Sequence, residues 1–287
     1  MSRLMAVFAH PDDETFGPGG TLAKYAAAGV EVHCICATKG EAGEVPAAML
    51  EGFGEVGELR AAELTCAARI LGIKEVHFLG YRDSGMPGSA DNHHPRSLQQ
   101  AKEEEVVEKI VALIRRLRPQ ALITFDPHGG YGHPDHVKIH RLATQAFFAA
   151  GDPNRFSHQR EQGLAPHRTP YLYYTLVSRR VLRFWLLFLP LVGRDPSRFG
   201  LNQDIDLREV ASWDQPVHVR IDVRPFLDKK IQAAACHRSQ ASFTRDLPLP
   251  AWLRRWLLAR EDFLRVYPQV KGGGRIGKDL FADELGR

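Results

Sequence analysis

Leu4-Met5-Ala6-Val7-Phe8-Ala9-His10-Pro11-Asp12-Asp13-Glu14 is the stretch on which the reading of this chain turns. Its six leading apolar residues have the length and the unbroken hydrophobicity of a strand buried on both faces. A helix-like run, Gly20–Ala28, follows and is closed by Gly29, after which Glu31–Ala37 reads as a second strand. The alternation continues outward: a helix over Gly57–Leu71 closed by Gly72, a short strand over Val76–Leu79, a helix within Leu98–Leu117 ending before Pro119, a strand over Ala121–Phe125, and a helix over Asp135–Ala149 closed by Gly151. Strands separated by helices predict an α/β, Rossmann-like three-layer fold with a mostly parallel sheet. Right-handed crossovers then gather the loops that follow each strand along one edge, where such sheets bind ligands.

Beyond residue 150 the pattern loosens. Gly151–Arg168 reads as a long polar loop, Tyr171–Val177 and Val217–Val223 as strands, Pro225–His237 as a helix, and Trp252–Val266 as an amphipathic helix whose Trp252, Trp256 and Phe263 face the core. Gly272-Gly273-Gly274 is expected to begin a flexible tail. The expected organisation is one domain over residues 1–287, with a motif-bearing half, 1–150, and a C-terminal elaboration, 151–287, lining the pocket. The apolar stretch Val181 to Val192 is broken by Arg183 and Pro190 and is too short to span a membrane, so a buried helix or a flap over a cleft is expected there.

Composition narrows the class. The 287 residues are 44% hydrophobic and 25% charged, which excludes a mainly disordered chain, a collagen-like repeat and a disulfide-dense scaffold. A net charge of +4 is too small to be a nucleic-acid footprint. Among the four cysteines, Cys34 and Cys36 lie two apart on one strand face, and no zinc-type CxxC pair exists. Cys34, Cys36, Cys66 and Cys236 are therefore expected to be buried, reduced thiols, as suits a cytoplasmic protein. The N-terminal apolar run is too short for a signal-peptide core. No stable membrane insertion is expected, and a homo-oligomer is left open.

Two segments carry the chemistry, both placed just after strands. In His10-Pro11-Asp12-Asp13-Glu14, a helix start accounts for one acid as a cap, but not for three acids beside an imidazole. If the chain turns helically there, His10 and Asp13 share a face while Asp12 stays close and free. In Asp126-Pro127-His128-Gly129-Gly130-Tyr131-Gly132-His133-Pro134-Asp135-His136, His133 and His136 are three apart and His140 lies four further on. Two imidazoles and a carboxylate suit zinc as a hydrolytic Lewis acid. They also suit the facial triad of non-haem ferrous iron, although iron oxygenase chemistry leads one to expect a β-rich barrel. Gly17-Pro18-Gly19-Gly20 faintly echoes a dinucleotide loop, but Leu22 stands where that fingerprint needs a small residue, and the three acids would repel a pyrophosphate.

Taken with Thr38-Lys39-Gly40-Glu41-Ala42-Gly43-Glu44, Arg60 and Glu63, and Tyr81-Arg82-Asp83-Ser84-Gly85-Met86, these motifs resemble the PIG-L/LmbE family from about residue 4 to 150, and His237-Arg238-Ser239-Gln240 resembles a further, less specific motif of that family. That family comprises zinc-dependent de-N-acetylases of N-acetylglucosaminyl conjugates. The resemblance implies His10, Asp13 and His136 as ligands of Zn2+ and Asp12 as the general base. It implies His133 as the group that steadies the oxyanion and protonates the amine, Tyr131 as a polarising hydroxyl, and Asp135 as the partner that orients His133. Arg60, Asp83 and His237 then fall among substrate-binding positions. The function implied is zinc-dependent removal of an N-acetyl group from a small amino-sugar conjugate by a metal-activated water. Alternatives are a thiol-conjugate amidase-like enzyme acting on a larger N-acyl group, an iron oxygenase, and a non-catalytic sugar-binding protein.

Overall fold

The computed structural model describes residues 1–200, 203–240, 249–270 and 275–281. Its centre is β1 (Arg3–Phe8), whose residues from Leu4 onward are all buried. The other strands are β2 (Glu31–Thr38), β3 (Ile73–Tyr81), β4 (Ala121–Phe125), β5 (Tyr171–Leu176), β6 (Val219–Asp222) and β7 (Arg260–Tyr267). They form one seven-stranded sheet in the order β3-β2-β1-β4-β5-β7-β6. β1 to β5 run parallel, and β7 pairs antiparallel with both β5 and β6. The expected α/β fold is what the chain adopts.

The helices are α1 (Asp13–Phe16), α2 (Gly19–Ala27), α3 (Val56–Leu71), α4 (Glu103–Leu117), α5 (Gly129–Gly132), α6 (Pro134–Ala149), α7 (His158–Glu161), α8 (Arg179–Leu191), α9 (Leu207–Ser212), α10 (Leu227–Cys236) and α11 (Ala251–Leu257). α4 shows why they form where they do: three glutamates occupy its first turn and Arg115 and Arg116 its last, matching the helix dipole at both ends. Val106, Val107, Ile110, Val111 and Ile114 recur at helical spacing and are fully buried. Because strand order reverses between β1 and β4, their C-terminal ends flank the crevice where doubly wound sheets bind ligands.

Four expectations are corrected. Trp252–Val266 is not one helix: α11 stops at Leu257 and the chain turns into β7, placing Phe263 1% exposed in the sheet and leaving Trp252 and Trp256 largely outside. Helical and strand periodicity coincide over so short an apolar segment, and pairing with β5 decided between them. Of the two readings of Val181–Val192, the buried helix is the one corrected: α8 lies at the surface with Leu182 and Leu189 buried and Leu187 and Leu191 exposed, and Val181 borders a cleft. The expected tail returns to the core: Leu280 and Phe281 are buried, and Phe281 packs edge-on against Tyr25 at 5.1 Å. Gly272, Gly273 and Gly274 lie outside the described residues. Finally, Cys66 and Cys236 form a disulfide, and only Cys34 and Cys36 are free and buried. Packing of α10 against α3 brings the two Cα atoms to 5.9 Å across 170 positions of chain, a proximity that local spacing cannot reveal. Among the described residues no helix is long and apolar enough to cross a membrane.

The C-terminal part is clamped to the first half. Both Glu261 carboxylate oxygens accept backbone N–H groups at the start of α2, from Gly20 at 2.9 Å and Thr21 at 2.7 Å, and Lys230 bonds the same carboxylate at 2.6 Å. A buried carboxylate on a helix N-terminus, neutralised by a buried lysine, leaves none of these charges uncompensated.

Candidate metal centre and active site

The first segment leaves β1 in a tight turn. The Asp13 carboxylate accepts the backbone N–H of His10 at 2.7 Å and of Ala9 at 3.2 Å, closing the turn on itself. Asp12 is held at φ 124°, a region that L residues rarely occupy and that commonly marks functional strain. Its backbone N–H donates to the buried Glu14 carboxylate at 2.9 Å. The second segment is a helix start: Pro134 takes the first position of α6, and the His133 Nδ1 accepts the Asp135 N–H at 3.1 Å as the cap. One turn along, His136 reaches back under the glycine-rich loop. Gly129 sits at φ +65°, and a Cβ there would fall 2.6 Å from the Cβ of His136, so glycine is required on both counts.

These turns bring His10, Asp13 and His136 together. The His10 Nδ1 lies 3.0 Å from the His136 Nε2, the His136 Nε2 lies 3.3 Å from Asp13 Oδ1, and the His10 Nδ1 lies 3.8 Å from Asp13 Oδ2. Donors of a tetrahedral zinc site stand about 3.3 Å from one another, given bonds of about 2.0–2.1 Å. The outer nitrogens are committed elsewhere: the His136 Nδ1 meets the Gly129 carbonyl at 3.0 Å, and the His10 Nε2 faces Asp83 at 3.2 Å and Asp135 at 3.4 Å. A ring that donates through one nitrogen presents the lone pair of the other, which is how metal-ligating histidines are usually held. Two buried lone pairs aimed at each other across 3.0 Å need a shared proton or a cation between them. The donor set therefore fits a divalent ion of the zinc type.

Electrostatics agree. Burial, reinforced by His10, pushes His136 down to about 3, so it is a neutral donor at neutral pH. Burial opposed by the Asp83 carboxylate leaves His10 well above its ordinary value. Burial raises Asp13 to about 6, against the pull of His10, and Asp12 to about 7, against the pull of Arg60. Asp12 thus titrates near neutrality even with the Arg60 guanidinium 3.1 Å away. His133 is driven well below its ordinary value by burial and by His10 and His136. With its Nδ1 accepting from Asp135, the neutral ring carries its proton on Nε2.

Three assigned roles change. Asp135 bonds His133 through its backbone, not its carboxylate, which instead accepts Ser84 N–H at 2.9 Å and the Gln99 amide at 3.2 Å and faces His10. Asp83, 4% exposed, faces His10 and stands 3.9 Å from Arg60. His237 is fully buried, with its Nε2 2.8 Å from the same Glu14 that holds Asp12, so it backs the acidic turn and cannot touch a sugar. Arg60 reaches Asp12 Oδ2 at 3.1 Å, the Pro11 carbonyl at 2.9 Å and the Gly40 carbonyl at 2.9 Å, and a Cβ on Gly40 would lie 2.2 Å from its guanidinium. His140 bonds the Phe125 carbonyl at 2.7 Å and stacks edge-on with Tyr174. His133 lies within 4.8 Å of nitrogens on His10 and His136.

Sequence reasoning missed Glu14 as the link between His237 and Asp12, and Ser239, whose N–H and hydroxyl both meet the Glu63 carboxylate at 2.8 and 2.6 Å. Gln99 was missed too, and no local pattern marks it; Ser84 stands in a quoted motif, but nothing local ties it to Asp135. A cleft of about 280 Å³ opens beside Asp13, His136 and Tyr131, with Val177, Val181, Leu257 and Leu258 among its walls.

Residues 5–147 match the family model described as GlcNAc-PI de-N-acetylase, PIG-L. A 1D-myo-inositol 2-acetamido-2-deoxy-alpha-D-glucopyranoside deacetylase of Rhodococcus opacus is 40% identical, over 98% of this chain and 97% of its own. The protein of the same name from Geodermatophilus obscurus is 38% identical over 99% and 96%. Among solved structures, N,N'-diacetylchitobiose deacetylase from Pyrococcus horikoshii shares the fold with a TM-score of 0.61 at 21% identity, over 92% of this chain and 84% of that one.

Proposed function

This chain belongs to the GlcNAc-PI de-N-acetylase (PIG-L) family and is an N-acetylglucosamine-type deacetylase; we propose that it works through a zinc ion held by His10, Asp13 and His136 and acts on a 2-acetamido-2-deoxyglucopyranoside of inositol. The observation that carries the metal assignment is the buried approach of the His10 Nδ1 to the His136 Nε2 at 3.0 Å, with the two Asp13 carboxylate oxygens 3.3 Å from His136 and 3.8 Å from His10, and with both imidazoles fixed through their other nitrogens. The inositol glycoside is supported by the names and near-complete overlap of the Rhodococcus opacus and Geodermatophilus obscurus relatives.

When bound, zinc would lower the pKa of water to about 7 and polarise the amide carbonyl. The chain's residues supply the rest. Asp12, pinned by Arg60 and by its own N–H on Glu14, accepts the proton of the attacking water. The new C–O bond forms, the C–N bond breaks, and that proton leaves with the amine, giving acetate and the free amino sugar. His133 donates its Nε2–H to the developing oxyanion, aided by the Tyr131 hydroxyl. The proton taken up by Asp12 passes to the leaving nitrogen, while His133, whose Nδ1 already accepts the Asp135 N–H, serves the oxyanion. Arg60, spent on Asp12 and two backbone carbonyls, and Asp83, turned onto His10, hold the catalytic groups in place from behind. The ligand is a small molecule, and nothing in this site is built for nucleic acid.

The test is release of free amine from the N-acetylglucosaminyl inositol, with bound metal measured on the same samples. Asp12→Asn should keep its zinc and lose about 10²–10⁴-fold in kcat; equal loss of metal would reassign Asp12 as a ligand. A second reading, cleavage of a longer N-acyl chain, is favoured by the aliphatic wall of Val177, Val181, Leu257 and Leu258 beside Asp13 and His136. N-acyl glucosaminides of increasing chain length, assayed together, separate the two.

A further inference from the structure

Away from the active site, His33 on β2 and Glu75 and His77 on β3 lie on one face of the sheet. His33 and Glu75 are cross-strand partners, and His77 follows two residues along the same strand, so all three side chains project together. The register slips by one residue between Val32 and His33, a bulge in the edge strand that turns Glu75 onto His33. The two imidazoles stack with centroids 5.8 Å apart and planes 22° from parallel.

What sets this cluster apart is unmet hydrogen-bonding capacity. His33 is 3% exposed, yet neither ring nitrogen has a hydrogen-bond partner, and the buried Nε2 of His77 has none either. Buried imidazole nitrogens are normally paired, because leaving one bare costs about 1–3 kcal/mol. Burial holds both rings below their ordinary value, so both are neutral with lone pairs available at neutral pH. The donor atoms converge: Glu75 Oε2 lies 3.5 Å from the His77 Nε2 and 4.0 Å from the His33 Nδ1, and one atom from each residue falls within 4.8 Å of the others. Glu75 is the mobile member, with 58% of its side chain exposed, so it can close its own gap of under about 1 Å to each ring toward the spacing of a four-coordinate ion. The other nitrogen of His33 faces the Glu31 carboxylate at 3.9 Å, and that carboxylate is fixed by Arg3 at 2.9 Å and Lys74 at 2.5 Å. The remaining cation near the cluster, Arg116, is exposed to solvent, where its charge is screened.

We propose that His33, Glu75 and His77 form a second divalent-metal site, two imidazoles and a carboxylate with an open position for water, selective for borderline ions such as Zn2+ or Cu2+ over Mg2+ or Ca2+. A cation there ties the bulged edge strand to β2 and thereby steadies the strand that leads into Asp83. Its outer nitrogens are less firmly held than those of His10 and His136, so it fills after the active site.

Metal-stripped full-length protein is titrated with Zn2+, and bound ions are counted after desalting, with Cu2+ paramagnetic resonance on parallel samples. The parent should take up two ions per chain and the His77→Gln variant one, while zinc-loaded His77→Gln keeps the parental deacetylation rate. Glu75→Gln, a change at an exposed side chain, should weaken the second ion at least about tenfold and leave the first untouched. One ion in the parent, or two retained at parental affinity in both variants, overturns the proposal. His136→Ala should keep the second ion, so failure of the edge site and failure of the active-site assignment are told apart.

Discussion

His10 with His136, at the C-terminal edge of the sheet, and His33 with His77, on two of its strands, are two imidazole pairs each beside a carboxylate, yet they differ in what stands behind them. At the ends of β1 and β4 every outward nitrogen is engaged, by the Gly129 carbonyl or by Asp83 and Asp135, so the inward lone pairs are aimed before any ion arrives. On β2 and β3 the rings are placed by strand register, and both His33 nitrogens and the His77 Nε2 lack a hydrogen-bond partner. Preorganisation, not ligand type, separates a centre suited to catalysis from one suited to holding an ion. The difference also follows topology. Loops and a helix start can bend backbone groups toward a ring, whereas strands spend theirs on the ladder.

The largest effect expected on breaking that comparison is at α6. His136→Ala removes a ligand and empties the catalytic centre, so amine release should fall at least as far as in Asp12→Asn, by about 10²–10⁴-fold or more, with one ion fewer by elemental analysis. Full occupancy in that variant would shift the assignment to another histidine.

A smaller effect tests the backing itself. His237→Ala unhooks Glu14, and with it the N–H of Asp12 in its unusual conformation. Loss of an outer partner commonly lowers activity about 10–100-fold. The loss should fall on kcat while KM stays near parental, and His237→Gln, which keeps a donor, should recover most of it. A change in KM alone would return His237 to the substrate side.

The smallest effect is thermal. Without a cation, Asp12 titrates at about 7 and His10 well above its usual value, so the folded state holds protons more tightly than the unfolded chain does. The stability carried by those protons is full at low pH and is lost as pH rises through the folded values. His136 acts in the opposite direction, but held near 3 it has finished contributing above about pH 6.5, the unfolded value. Between pH 6.5 and 8.5 the metal-free protein should therefore lose a few degrees of Tm that the zinc-loaded protein keeps. Melting curves with and without a chelator measure the gap, and a gap that narrows with pH would contradict the assignment.

Much of the first half was legible along the chain. β1, β2 and β4 are apolar runs too dense for a surface, and α3 and α6 carry their own stop and start signals in Gly72 and Pro134. Local spacing put His10 and Asp13 on one face and set several histidines at the start of α6; it was the family resemblance that named His136 among them. The second half was less legible because its short segments satisfy more than one periodicity. Arg260–Tyr267 became a strand only because β5 offered an edge, and Leu280 and Phe281 are core only because Tyr25 and Tyr173 receive them.

By itself, then, the sequence determined the parallel α/β layout, the edge on which chemistry would sit and the donor types there, since all three follow from residue spacing over a few positions. Tertiary structure alone decided that Cys66 meets Cys236, that His237 stands behind Glu14, that the Asp135 carboxylate serves His10 rather than His133, and that His33 and His77 share Glu75. Each of those pairs joins separate elements, and which elements touch is settled by how the whole core packs rather than by any stretch of chain taken alone.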